Sequence, residues 1–291
     1  MANGLQASEG TADRVSFGDT SRSLRRSAAR LAAVAVALTA AAGCASVPTF
    51  GKDARPHESV VRLDGIEIRS DHPISKKDPL VRELAELRVR LSHQLRLDPG
   101  SRPVVVYLFA DEGRYTSYMT EHFPGLPSRR AFFVGSPGEL AVYAFWGANI
   151  EADLRHECTH GLLHSSLGEV PLWLDEGLAE YFETEPRNLR RINADHMKRL
   201  SIAMANGWTP DLTRLERLET VDQMQRADYQ EAWAWVHFLM HESAGGRDLL
   251  LGYLHALPQT ESPGSLADEV RANWPAAEAR LTAYLGTLKA S

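Results

Sequence analysis

The sequence predicts an α+β domain whose strands come early and whose helices dominate late. Short β-branched or alternating runs cluster between residues 60 and 145. Apolar residues then recur at helical spacing from about residue 150 to the end. That order, strands first and helices after, favours a sheet with helices segregated from it over a regular βαβ alternation. Apolar residues make up 44% of the chain, enough to bury a real core. A formal net charge of -6 excludes the basic footprint of a nucleic-acid-binding surface.

Val60 to Arg69 alternates around Asp64-Gly65, a hairpin signal. Leucines at 80, 84, 87, 91 and 95 give helical spacing over 79–97. Val104 to Phe109 is a β-branched and aromatic run that fits a buried strand. A helix is expected over 111–122. Ala131 to Val134 and Leu140 to Phe145 flank Ser136-Pro137-Gly138 and read as a second hairpin. Helices follow at about 150–165, 172–184, 187–206, 229–243, 247–256 and 275–289.

The first residues carry a different message. Residues 22–30 are basic, 31–42 are uncharged and apolar, and Gly43-Cys44 follows. That order is the layout of an export signal, and the apolar run is too short for a membrane-spanning helix. Ala41-Ala42-Gly43-Cys44 resembles a bacterial lipobox, with Ala41 in place of the usual leucine. The resemblance implies diacylation of Cys44 and cleavage before it, and several acyl chains anchor firmly. Residues 1–43 are therefore expected to be a signal peptide and 44–58 a tether. The folded domain is expected over 59–291, with its core at about 103–184 and a helical part from about 185. Ala45 after the cysteine favours the outer membrane, facing the periplasm, in a Gram-negative envelope.

Residues 156–160 read His-Glu-Cys-Thr-His, an HExxH motif. Residues four apart on a helix differ by about 40° and one turn, so His156 and His160 can share one ion. Glu157 lies beside both and can take a proton from water without binding the metal. Ile150, Leu154, Cys158 and Leu162 form the opposite, apolar stripe, so Cys158 reads as a core thiol. A third ligand is needed. His164 sits about 12 Å along the axis from His156 and cannot join both on a straight helix. Leu163 and Ser166 break the metzincin continuation. The remaining source is the segment Pro171 to Tyr181, where Glu176 and Glu180 share a helix face.

HECTHGLLH followed by PLWLDEGLAEYFE resembles the gluzincin, or peptidase MA-like, zinc metallopeptidases. The resemblance spans roughly residues 103–256 and is strongest over 154–183. It implies a zincin-like fold with a mixed sheet, an HExxH helix and a glutamate helix. It also implies one zinc ion held by His156, His160 and Glu176, with Glu157 as general base. Glu180 takes the place of a carboxylate that orients a ligand histidine through its other ring nitrogen. A Tyr-x-x-Ala segment places Tyr229 as an oxyanion donor facing the metal, with His237 and His241 as rivals. Gluzincins add substrate backbone to an exposed strand beside the HExxH helix, and Leu140–Phe145 is the expected edge. No Gly-x-Met-Glu-Asn motif is present, which favours an endopeptidase over an aminopeptidase.

The leading expectation is thus a lipid-anchored zinc peptidase of the bacterial envelope, acting on protein or peptide substrates, with a membrane contact through Cys44 and no nucleic acid. A second is a catalytically inactive scaffold or binding lipoprotein with the same fold. A third is a zinc hydrolase of a non-peptide amide in the wall.

Overall fold

The structure, a computed structural model, describes residues 55–288 apart from 99, 186, 189, 261 and 262. The expected signal peptide, Cys44 and most of the tether lie outside the described residues. The fold is mixed α+β, with a five-stranded sheet near the N-terminus and helices in the C-terminal part.

The first hairpin forms as its Asp64-Gly65 turn predicts, from β1 (Ser59–Leu63) and β2 (Ile66–Ser70). Gly65 has a φ of 76°, a conformation that favours glycine. Helix α1 (Pro79–Leu95) then crosses over and returns the chain to β3 (Val104–Phe109), parallel to β2. All six residues of β3 are buried, because helices cover both faces of this central strand. Helix α2 (Glu112–His122) leads into the second hairpin, β4 (Ala131–Gly135) and β5 (Leu140–Phe145).

The sheet order is β1-β2-β3-β5-β4. Strand β5 is therefore interior, parallel to β3 and antiparallel to β4, and the expected edge at Leu140–Phe145 is corrected to β4. The hairpin folds β4 to the outside, so it is the later strand that reaches β3. The N-terminal boundary also moves. Arg55, placed in the tether by sequence, donates to the Tyr107 hydroxyl at 2.8 Å and to Glu139 at 3.0 Å.

Two apolar layers sandwich the sheet. One face carries Val105, Tyr107, Phe109, Ala141 and Tyr143 and packs with Tyr115, Tyr118 and Met119 of α2. The other face, with Ile66, Ile68, Val104, Val106, Leu108 and Val142, joins the main core under α1 and α3 (Ile150–Leu167). Helix α3 lies close to the sheet because Gly161 has no side chain. A Cβ there would come within 2.7 Å of Val104.

Helix α4 (Leu172–Glu183) is followed by α5 (Ala194–Ala205), α6 (Leu212–Glu216), α7 (Arg226–His241), α8 (Ala244–Ala256), α9 (Leu266–Asn273) and α10 (Ala277–Thr287). The helix expected over 187–206 begins only at 194. Arg191 takes a left-handed φ of 54°, and the Asn193 side chain accepts from His196 N–H to start the helix there. The short α6 and α9 were not expected from periodicity. Asp211 and Ser265 cap them, each side chain accepting a backbone N–H of the first turn. None of the described helices is long and apolar enough to cross a membrane.

Candidate metal centre

The HExxH helix is built to hold its motif at a fixed height above the sheet. Ile150, Leu154, Cys158 and Leu162 are all buried, as the apolar stripe predicts. Glu151 and Asp153 in the first turn suit the positive end of the helix. Arg155 is also buried, ion-paired with Glu83 of α1 and donating to the Glu183 carbonyl at 2.5 Å, which ties α3 to α1 and to the end of α4. Cys158 is a free, fully buried thiol whose pKa burial pushes up, so it is a core residue and not a nucleophile.

The helix stops at Gly168, with φ of 77°, and Pro171 starts α4 after a short reversal. Helix α4 is wedged between α3 and α7. Gly177 permits this, because a Cβ at that position would lie 2.7 Å from the Ala232 carbonyl oxygen of α7. Trp173, Leu174, Leu178 and Phe182 fill the core, and Asp175 and Glu176 are left facing α3.

His156, His160 and Glu176 converge, with one ligand atom from each lying within 4.8 Å of the others. Glu176 Oε2 is 3.5 Å from His156 Nε2 and 3.7 Å from His160 Nε2. Both distances are long for hydrogen bonds. Ligands bound at about 2.0–2.2 Å around one tetrahedral ion stand roughly 3.3–3.5 Å apart, close to what is seen. Glu176 Oε2 is buried and has no hydrogen-bond partner among the described residues. A buried carboxylate oxygen without a partner is costly, and a shared cation would remove that cost. The donor set, two imidazoles and a carboxylate, therefore fits a divalent metal ion.

Each histidine is held from behind by a carboxylate. His156 Nδ1 donates to Glu183 Oε2 at 3.1 Å. His160 Nδ1 lies 2.9 Å from Asp175 Oδ2, and the same oxygen accepts from His164 Nε2 at 3.1 Å. These contacts leave the two Nε2 atoms turned toward Glu176. Burial pulls the His156 pKa down, but the nearby carboxylates of Glu176 and Glu183 outweigh that and hold it well above the ordinary value. His160 rises to about 9 on the charges of Asp175 and Glu176, again against burial. Burial pushes Asp175 and Glu176 up, yet the neighbouring imidazoles bring both carboxyls below their usual range. So much negative charge around two imidazoles is a cradle for a cation, whether protons or a metal.

Glu180 is the correction at this site. It does not orient a ligand histidine: its Oε2 accepts from His196 Nε2 at 2.9 Å, and Glu183 holds His156 instead. Three residues further along α4, Glu183 turns about 60° away from Glu180. His156, Glu180 and Glu183 also bring ligand atoms within 4.8 Å. Those carboxylates already hold His196 and His156 Nδ1, whereas Glu176 Oε2 has no such partner.

Glu157 is not among the converging ligand atoms. Its Oε2 accepts from the backbone N–H of Phe133 in β4 at 2.7 Å, so the edge strand fixes this carboxylate beside the histidines. The Phe133 ring stacks on His160, with centroids 6.1 Å apart. Tyr229 is half-buried in the first turns of α7, where burial and Glu176 both raise its pKa. Its hydroxyl is 3.5 Å from Arg129 Nη2. His237 and His241 do not reach the site. His237 donates from Nε2 to the Arg190 carbonyl and accepts from the Tyr284 hydroxyl at Nδ1, and His241 accepts from Tyr181.

Sequence reasoning missed Asp175, Glu183, His196 and Arg129. Asp175 and Glu183 had a signal: one precedes Glu176 and the other follows it by seven, two helical turns on the same face.

An α+β domain carrying a His-His-Glu cluster able to hold a metal is thus what the fold and site define. The chain is similar, over residues 150–259, to a family described as a protein of unknown function, DUF1570. That span runs from the start of α3 to the end of the 3-10 turn after α8, and so contains the whole cluster. No curated protein matches the chain.

Proposed function

We propose that the chain is a zinc-dependent peptidase, anchored in a bacterial envelope through lipid on Cys44. The observation that carries the reading is the convergence of His156, His160 and Glu176, with Glu157 fixed beside them by the edge strand. The likeness of the two motifs to gluzincins supports it, as does the choice of ligands, since two imidazoles and one carboxylate with an open position suit catalytic zinc. A zinc ion held there would supply a water of lowered pKa and a Lewis acid for the scissile carbonyl.

The protein groups divide the remaining work. Asp175 and Glu183 fix the ring orientations of His160 and His156 and raise their basicity as ligands. Glu157 takes the proton from the attacking water and returns it to the leaving nitrogen. Tyr229, close enough to Glu176 to feel its charge, donates a hydrogen bond to the oxyanion. Strand β4 offers its open edge to an extended peptide, an arrangement that binds backbone with little sequence demand and suits an endopeptidase.

Elemental analysis of the purified full chain tests the metal, with about one zinc per chain expected. Glu157→Gln tests the chemistry: zinc stays bound while peptide hydrolysis falls by about 10²–10⁴-fold. A folded wild type that takes up no zinc on reconstitution would sink the reading. A zinc-loaded wild type with no turnover on protein, peptide or wall-derived amides would leave the scaffold account standing. Cys44→Ser should move the chain out of the membrane fraction.

A further inference from the structure

Arg129 and Arg130 stand side by side just before the edge strand β4, and they are treated differently. Arg130 makes a forked pair with Asp153 of α3, with contacts of 2.7 and 2.9 Å, and is structurally accounted for. Arg129 has no such partner among the described residues. Its guanidinium lies over the Phe132 ring at 5.7 Å and touches the Tyr229 hydroxyl at 3.5 Å, the outer limit of a hydrogen bond.

Arg129 is exposed, so what matters is its place in the fold and not its lack of a carboxylate partner. Arg129 lies two residues before β4, the edge strand whose Phe133 N–H holds Glu157. Tyr229 belongs to α7, which packs against α4. The Arg129–Tyr229 contact therefore bridges from the edge strand to α7, and both Glu176 and Glu157 act electrostatically on the guanidinium. A divalent ion on the triad would offset the charges of Glu176 and Glu157. The positive charge of Arg129 would then be left beside the edge strand without a counter-charge.

We propose that Arg129 is a specificity-determining residue that selects substrates bearing a carboxylate next to the scissile bond. The inference rests on the zinc-peptidase reading. A guanidinium presents a planar fork that matches a carboxylate with two parallel hydrogen bonds, and Phe132 and Tyr229 hold that fork in place. A peptide laid along β4 would carry either an acidic side chain or its own C-terminal carboxylate past this point. The two sources share one chemistry.

Two matched pairs of hydroxamates, measured by calorimetry on the zinc-loaded full chain, separate them. The first pair is malonyl-hydroxamate of leucine as free acid and as leucinamide, which reports a C-terminal carboxylate. The second is N-acetyl-aspartyl and N-acetyl-asparaginyl hydroxamate, which reports an acidic side chain. In at least one pair the acid should bind at least about tenfold more tightly than its amide. R129A should erase that preference and leave the zinc content unchanged, while R129K keeps part of it. Equal binding within both pairs, or a preference that survives R129A, overturns the role of Arg129 and leaves the zinc site intact. Failure of all four hydroxamates to bind overturns the zinc-peptidase reading and this inference with it.

Discussion

Two histidine pairs spaced four apart, His156–His160 on α3 and His237–His241 on α7, differ in their surroundings, and only the first is ringed by carboxylates that could share a cation with it. His156 and His160 on α3 face Glu176, Glu183 and Asp175. His237 and His241 on α7 face Tyr181, Tyr284 and the Arg190 carbonyl, with Arg247 and Arg191 near His241. The spacing is the same, and the neighbours set opposite chemistry. Carboxylates raise the first pair's affinity for positive charge. Burial, with cationic neighbours, lowers the second pair's. His237 is paired as a neutral imidazole should be, one nitrogen donating and the other accepting. Helical spacing brings two imidazoles together, and the surrounding charges decide what they can bind.

The largest effect should come from removing one histidine of each pair. His160→Ala should abolish stoichiometric zinc, because two ligands seldom hold the ion that three hold. His241→Ala should leave zinc content untouched and show only a folding cost. Zinc lost equally from both variants would break the contrast, since it would mean that the second pair supports the site through the fold.

The next effect concerns the carboxylates behind the rings. Asp175→Asn should weaken zinc by about 10–100-fold, the usual cost of losing a carboxylate that orients a metal-bound histidine. Asp175 is 9% exposed and faces both His160 and His164, so water cannot readily take its place. Glu183→Gln should cost less, because its side chain is 34% exposed and water can replace it. Glu180→Gln should cost least, as its contact is with His196. A competition titration against a chromogenic chelator orders the three, and a larger loss for Glu180 than for Asp175 would reverse the assignment.

Much of this contrast was legible in the sequence. The strands, the HExxH helix and the glutamate helix follow from apolar periodicity and turn residues, which are local properties. The spacing named His156 and His160, and the resemblance of the two motifs to gluzincins pointed to Glu176. The edge strand was misplaced because a hairpin's order in a sheet depends on which strand the preceding crossover meets. Glu180 was misread because α4 offers acids at 175, 176, 180 and 183, and their partners depend on the rotation of α4 against α3. That rotation comes from Gly177 beneath the Ala232 carbonyl, a contact 55 residues away in sequence. Arg129 had no periodic signal at all, since it lies in the segment between α2 and β4.

pH should act with opposite sign on the two pairs. His237 has a folded pKa near 4, set by burial and the charge of His241. The unfolded chain takes up the proton first, at about 6.5. Its contribution is therefore present above about pH 6.5 and lost as pH falls toward 4, on the order of 3 kcal/mol at most. In zinc-free protein His160 runs the other way, with a folded pKa of about 9. Its contribution is present below about pH 6.5 and lost as pH rises through 9. Urea unfolding with chelator should thus show stability declining on the alkaline side, and His160→Ala should flatten that limb. Zinc should also flatten it, by replacing the proton. An alkaline limb unchanged by either would contradict the cradle.

The smallest effect sharpens the second pair. The Tyr181 hydroxyl is 2.8 Å from His241 Nε2, and Tyr181 is 2% exposed, so Tyr181→Phe removes one hydrogen bond with little change in shape. His241 is exposed, so water can take the place of the lost donor, and the cost should be no more than about 0.5–1.5 kcal/mol. For a domain of this size that is a fall of roughly 2–4 °C in thermal midpoint per kcal/mol. Zinc content should not move, because α4 reaches the metal through Glu176, which is held in place by Gly177 and the α7 backbone and not by this hydroxyl. A Tyr181→Phe protein that kept its midpoint but lost zinc would show that the two histidine pairs are coupled along α4.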